Sequence, residues 1–378
     1  MNSKPRSAHQ LPLEGLLVVD VSRMLPGAVL ARQLLDLGVR LIKVEEPGVG
    51  DPMRMVPPLT GGVGIGFASM MRGAESIVLD LRSDRDAERL RRLIDRADVL
   101  VESFRPGTLD GWGLGHDSVL DANPRLVWCS LSSFGQSAGA ASGIGHDVNF
   151  VAATGALRTM MTTGIPGLQL ADVGGALLAA SAVLAALFHR ERTGRGRVID
   201  QPLVSGPLPF MTWAWAEDAL GEGRPMADLL SGGCACYRTY RCSDGVELAV
   251  GTLEPKFWST FIQLLGLPEL ATAGHDPGEA GAAAADRIAA ALRRQPAAHW
   301  LALAEAHGLP VNRVLNVAEA RSSGGLAGLG LIESTPLPGD DSVETPGPFL
   351  PSLGRTPATP APQVGEHTDE ILDEFGIE

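Results

Sequence analysis

Short apolar runs alternate with amphipathic stretches through the first half of the chain. Residues 16–21 form one such run, followed by a break at Pro26-Gly27, and 28–37 then carries apolar residues at helical spacing up to Gly38. A glycine just past the last periodic residue ends a helix readily, because it enters the left-handed conformation without a Cβ clash. Residues 41–45 and 77–81 read as the next strands. Residues 84–98 make a charged amphipathic helix headed by Ser83, whose hydroxyl suits an N-cap. Runs at 99–102 and 126–131 complete the series. This alternation predicts an α/β fold, a Rossmann-like large domain with a parallel sheet and helices on its faces.

The second half has a different texture. Residues 176–189 form the most apolar helix, the turn Glu191-Arg192-Thr193-Gly194-Arg195-Gly196 follows, and 198–200 restarts as a strand. From about 225, the runs 237–241 and 246–250 flank Ser243-Asp244-Gly245 and read as a hairpin. Helical spacing resumes at 256–265, 278–292 and 297–307. The expected organisation is a large α/β domain over 1–224, a small α+β domain over 225–325, and a C-terminal segment, 326–378, returning to the large domain. Within that segment, 326–364 is rich in Pro and Gly and reads as extended, and 369–375 as a short helix capped by Thr368.

Composition narrows the function classes. The 378 residues are 45% hydrophobic and 20% charged, the proportions of an ordinary globular protein. A net charge of −13 with no basic stripe excludes a nucleic-acid surface, and an anionic ligand would need a local basic pocket. Cys129, Cys234, Cys236 and Cys242 lack the paired spacing of a metal site, so no metal is expected. Reduced thiols and a polar start without a secretory pattern point to a cytoplasmic location. The apolar run at 176–188 is too short to span a bilayer, so no membrane is expected. The first βα turn, 22–27, is not Gly-x-Gly-x-x-Gly, and the glycines of 61–66 lack a strand-then-helix setting. A nicotinamide or flavin dinucleotide is therefore unsupported, and no prosthetic group is expected.

Two positions draw attention as chemistry. His146 stands in Gly145-His146-Asp147, a glycine-rich loop leading into small apolar residues. Asp172 stands in Leu170-Ala171-Asp172-Val173-Gly174-Gly175, at the head of the apolar helix, where a carboxylate is stabilised by free N–H groups and the dipole. Locally, Asp172 reads equally well as an N-cap. Gly-His-Asp also recurs at Gly115-His116-Asp117 and Gly274-His275-Asp276, so the tripeptide alone does not single out His146.

Ordered motifs along nearly the whole chain resemble the superfamily of class III CoA-transferases and α-methylacyl-CoA racemases. They include Leu34-Leu35-Asp36-Leu37-Gly38, Ile42-Lys43-Val44-Glu45-Glu46-Pro47 and Gly50-Asp51-Pro52-Met53-Arg54. Further along come Val101-Glu102-Ser103-Phe104-Arg105-Pro106-Gly107, Ser133-Phe134-Gly135-Gln136, Arg192-Thr193-Gly194-Arg195-Gly196 and Gly365-Glu366-His367-Thr368. Gly145-His146-Asp147-Val148-Asn149-Phe150 is similar to the racemase branch, where transferases usually carry another residue at the His position.

The resemblance implies a racemase or epimerase that inverts an α-methylacyl thioester carbon by proton transfer through an enolate. His146 and Asp172 would be the exchanging acid and base, and Glu254 would hold the second imidazole nitrogen. Backbone N–H groups near Asp172 would meet the enolate oxygen. A CoA thioester is the implied substrate. Lys43, Arg54, Arg72, Leu79, Asp80, Arg82, Ser103, Phe104, Arg105, Gly145, Asp147, Asn149 and Phe150 are the implied carrier-binding positions. Glu46, Ala74, Glu75 and Gly111 depart from the basic residues often found at matching places, which puts the carrier in question: CoA, a carrier-protein pantetheine or neither. An interlocked homodimer is also implied. Two alternatives stay open: a CoA-transferase using Asp172 as nucleophile, and a binding protein whose site has decayed.

Overall fold

The computed structural model describes residues 11–137, 143–160, 167–221, 225–337, 341–353 and 359–378. The chain divides into two compact units. The larger takes 1–154, 167–209 and 323–378, and the smaller takes 155–166 and 210–322. The smaller unit thus includes a helix at Thr212–Leu220 that the sequence reading left with the larger one.

Six strands build the sheet of the larger unit: β1 (Leu17–Asp20), β2 (Arg40–Glu45), β3 (Glu75–Val78), β4 (Val99–Glu102), β5 (Val127–Ser132) and β6 (Val198–Pro202). All pair in parallel, in the order β3-β2-β1-β4-β5-β6. This is the doubly wound order, which reverses between β1 and β4. Side chains alternate across the sheet, as the period of a strand requires. Val18, Val99 and Val101 join one core with α1 (Met24–Asp36), while Val19 and Leu100 join the opposite core with α2 (Asp84–Ile94). Ser83 accepts from the Asp86 N–H at 3.2 Å and caps α2.

A short helix, α3 (Asp147–Ala153), precedes the long α4 (Leu170–Thr193). By length and composition alone α4 could cross a membrane. Here its face of Ala176, Ala179, Ala180, Val183 and Leu187 is buried in the α1 core. The chain at Gly206 passes so close to the first turn of α4 that a Cβ there would strike the Ala171 carbonyl, and one on Gly174 would come 2.7 Å from the Gly206 oxygen. Two glycines thus set the head of α4 against the main chain.

In the smaller unit, α5 is the helix at Thr212–Leu220, and β7 (Tyr237–Arg241) and β8 (Glu247–Gly251) form the expected hairpin. β9 (Val311–Arg313) is added antiparallel to β8. Helices α6 (Pro255–Leu264), α7 (Glu279–Leu292) and α8 (Ala297–Ala306) pack into its core through Trp258, Ile288 and Ala304.

The returning segment is less extended than expected, since β10 (Ile332–Pro336) and β11 (Ser342–Pro346) pair as a hairpin. The last helix is α9 (Thr368–Glu374). Thr368 does not cap it. Its hydroxyl donates to the Gly365 carbonyl at 2.8 Å and accepts from the Val78 N–H at 3.1 Å, which ties α9 to the edge strand β3.

Candidate active site

His146 is the residue before α3, in extended backbone, with its side chain exposed. The Asn149 carboxamide oxygen accepts from the His146 N–H at 3.0 Å, which satisfies one free donor at the helix start. Phe150 buries its ring at 1% exposure against Phe134, 5.4 Å between centroids and edge to face, and so anchors the loop that carries His146. Gly145 lies against this ring, and a Cβ there would come 2.9 Å from Phe150.

Asp147 reaches from α3 to the head of α4. Its Oδ1 accepts from the N–H groups of Ala171 at 2.7 Å and Asp172 at 3.0 Å. Asp172 is therefore not the cap; it lies within the first turn, and Asp147 supplies the cap from 24 positions upstream. This also corrects the expected enolate contact. The two amides nearest Asp172 are already taken by a carboxylate.

Asp172 itself is 9% exposed, and Gln169 Nε2 donates to its Oδ2 at 2.9 Å. Burial pushes its carboxyl up to about 6, and the charge of Asp147 adds to the rise. The Gln169 bond and the charge of His146 pull against it. His146 thus stands close enough to act electrostatically on Asp172. A carboxyl held near 6 can take up and release a proton near neutral pH.

Glu254 lies on the smaller unit, exposed, just before the first residue of α6. The other two Gly-His-Asp copies take up turn and helix-start roles. His116 opens a short helix and pairs with Asp117 at 2.7 Å, and His275 Nε2 lies 2.7 Å from the Leu253 carbonyl oxygen.

The residues expected to grip the carrier fall into two groups. Lys43, Arg54 and Arg72 are buried in ion pairs. Lys43 stands between Asp20 at 3.2 Å and Asp51 at 3.3 Å and donates to the Ser22 carbonyl. Burial works against its ammonium, but these carboxylates outweigh it and hold the charge above its ordinary range. Arg54 clasps Glu45 through Nε at 2.7 Å and through a second nitrogen at 2.6 Å, and stacks over Phe67 at 3.8 Å. Arg72 pairs with Glu333 and donates to the Ser69 carbonyl.

The second group lies at the strand ends. Leu79, Asp80, Arg82 and Phe104 line a cleft of about 360 Å³ between the loops that follow β1, β2, β3 and β4. Ser103 accepts from the Arg23 N–H at 2.8 Å and joins the loops on either side of the sheet reversal. Arg105 is exposed beside them. Arg23, absent from the sequence expectations, enters this cleft and pairs with Glu46 at 2.9 Å. Its only signal in the sequence is its place, directly after the first strand and its two following residues. Among the described residues no cluster of His, Cys, Asp and Glu could hold a metal ion, and the four cysteines are buried thiols.

A profile of CoA-transferase family III matches residues 13–368. The α-methylacyl-CoA racemase of Homo sapiens is 33% identical, with 97% of this chain and 94% of the racemase aligned. An acetyl-CoA:oxalate CoA-transferase of Acetobacter aceti is 34% identical over 82% of each chain. Among solved structures, a CaiB/BaiF family protein from Brucella suis superposes with a TM-score of 0.79 at 28% identity, covering 97% of this chain and 100% of that one.

Proposed function

The chain belongs to CoA-transferase family III, and from that premise we propose that it is a racemase or epimerase acting on the α-carbon of a 2-methylacyl thioester. One of His146 and Asp172 removes the α-proton, the electron pair passes into the thioester as an enolate, and the other returns a proton to the opposite face. Running the pair in reverse serves the other enantiomer. The observation that carries this reading is the state of Asp172: burial and Asp147 hold its carboxyl at about 6, beside the charge of His146. A carboxylate of ordinary acidity would be a weak base and a poor proton store near neutrality.

Asp147 is a positioning residue in this scheme, since it fixes the first turn of α4 and raises Asp172. Glu254 enters on the residues around it alone, Gly251-Thr252-Leu253-Glu254-Pro255-Lys256-Phe257. A homodimer is part of the same proposal, supported by Phe210 and Trp213 of the smaller unit, 70% and 61% exposed, and is read by analytical ultracentrifugation.

The test is exchange of the substrate α-proton for solvent deuterium, followed by NMR on a panel of 2-methylacyl thioesters. Exchange is expected with the unaltered chain and falls by about 10²–10⁴-fold in both His146→Ala and Asp172→Asn. No exchange on any member of the panel overturns the reading.

The similarity to an acetyl-CoA:oxalate CoA-transferase favours a second reading, in which the Asp172 carboxylate attacks the thioester carbonyl, the C–S bond breaks with departure of the carrier thiolate, and Asp172 carries the acyl group as a mixed anhydride. That reading requires hydroxylamine to trap Asp172 during turnover, and it tolerates His146→Ala.

A further inference from the structure

We propose that Gln169 is a positioning residue for the proton transfer, holding Oδ2 of Asp172 so that Oδ1 is the oxygen that meets the substrate's α-proton. This rests on the racemase reading above and assigns separate tasks to the two oxygens of one carboxyl.

Place on the helix is the first support. Gln169 is the residue before α4, and its carbonyl accepts from the Val173 N–H at 3.1 Å, which fixes its backbone to the first turn. Asp172 follows three positions later, so the two side chains rise from neighbouring sites on one face. Nε2 of Gln169 donates to Oδ2 of Asp172 at 2.9 Å, and among the described residues no hydrogen bond reaches Oδ1. One oxygen is tethered and the other is not.

The bond has no task in starting the helix. The N–H groups of Ala171 and Asp172 go to Asp147, and the Gln169 side chain caps nothing. Gln169 is exposed, and ordering a long side chain there costs rotamer freedom. Its amide is committed to the one carboxyl that the proposed reaction uses.

Chemistry is the third support. A carboxyl turns about its last bond in a broad two-fold well, so without a tether either oxygen can face the substrate. With Oδ2 held, removal of the α-proton breaks C–H, forms O–H at Oδ1 and leaves the electron pair in the enolate. The return step breaks that O–H and re-forms C–H. Gln169 donates to Oδ2 throughout. A donor favours the ionised form, so Gln169 also restrains the rise that burial and Asp147 impose on Asp172. The charges acting on Asp172 are those of Asp147 on α3 and His146 just before it. Arg32 and Asp36 on the neighbouring α1 pair with each other at 2.6 Å.

Two variants of opposite electrostatic effect test this. Gln169→Leu removes the donor, and Gln169→Lys replaces it with a cation. Both are read without turnover, from the pH at which the stability advantage of Asp172→Asn levels off in urea unfolding. The folded-state carboxyl lies above its unfolded value, so in the unaltered chain that advantage grows from about pH 4 and levels off above about 6. Gln169→Leu is expected to raise the proton affinity of Asp172 about three- to tenfold and carry the levelling point to higher pH. Gln169→Lys is expected to carry it lower. The acidic limb of α-proton exchange on 2-methylacyl thioesters is expected to move with it. In Gln169→Leu kcat is expected to fall about tenfold while KM stays within about twofold. A levelling point unmoved, or moved the same way by both variants, overturns the proposal. So does exchange in Gln169→Leu with the rate and pH dependence of the unaltered chain. Levelling points displaced in opposite directions, with no exchange by the unaltered chain, remove the racemase reading and leave the tie between Gln169 and Asp172 standing.

Discussion

At the head of α4, Asp172 has one side-chain donor among the described residues, Gln169, and a second carboxylate as neighbour, and its proton is held up to about 6. At the strand ends, Lys43 has two carboxylates to itself and Arg54 has a bidentate partner in Glu45. Both regions concentrate charge on the same unit, yet they teach opposite lessons. Where buried cations and carboxylates pair directly, the groups hold the loops of the sheet in place. Where one carboxyl is under-supplied with donors and crowded by another, a proton can come and go in the working range.

Removing the match should cost the most. Lys43→Met leaves Asp20 and Asp51 buried without their cation, and the expected loss is about 3–5 kcal/mol in urea unfolding. A loss below 1 kcal/mol would mean that Lys43 contributes little to holding these loops, and the contrast would collapse.

Relieving the strained carboxyl should do the reverse. The folded chain binds the Asp172 proton more tightly than the unfolded chain, so ionisation of Asp172 works against stability as pH rises from about 4 to about 6 and keeps doing so above that. Asp172→Asn should therefore be more stable than the natural chain at pH 7.5, by up to about 3 kcal/mol, with the gain vanishing below about pH 4. Equal melting temperatures at pH 7.5 would contradict it.

Asp147→Asn keeps an oxygen for the two amides but removes a charge. The limb of the pH–rate profile that belongs to Asp172 should move to lower pH by roughly half to one unit. An unmoved limb would show that burial alone sets the carboxyl.

The smallest change is expected at Arg82→Ala. Its side chain is 73% exposed and its ion pair with Asp80 is a surface pair, so stability should change by less than about 1 kcal/mol.

The sequence carried the strands and helices of the sheet well, because most strands are short apolar runs and most boundaries are marked by Gly, Pro or Ser. Ser83 capped its helix as read, and the hairpin turn at Ser243-Asp244-Gly245 formed. What escaped were contacts between distant positions. The start of α4 at Leu170 rather than 176 depends on Asp147, whose reach no local pattern records. β10 and β11 were hidden by their prolines, which sit at strand ends where a missing N–H does no harm. Lys43, Arg54 and Arg72 were visible as cations, but their partners were not, and a cation's role follows from its partner. Arg23 had no distinguishing neighbours at all. His146 and Asp172 stood out from their local settings only through the resemblance of the segments around them.

The outer edge of the sheet shows what the distant tie at Thr368 implies for assembly. Ser76 and Val78 of β3 give their N–H groups to His367 and Thr368, 291 and 290 positions further along. During synthesis that edge emerges long before its cover does, and an uncovered strand invites pairing with a neighbouring nascent chain. A protein laid out this way relies on speed or chaperoning until the final turns arrive, and shortening it before His367 should turn a folding delay into aggregation.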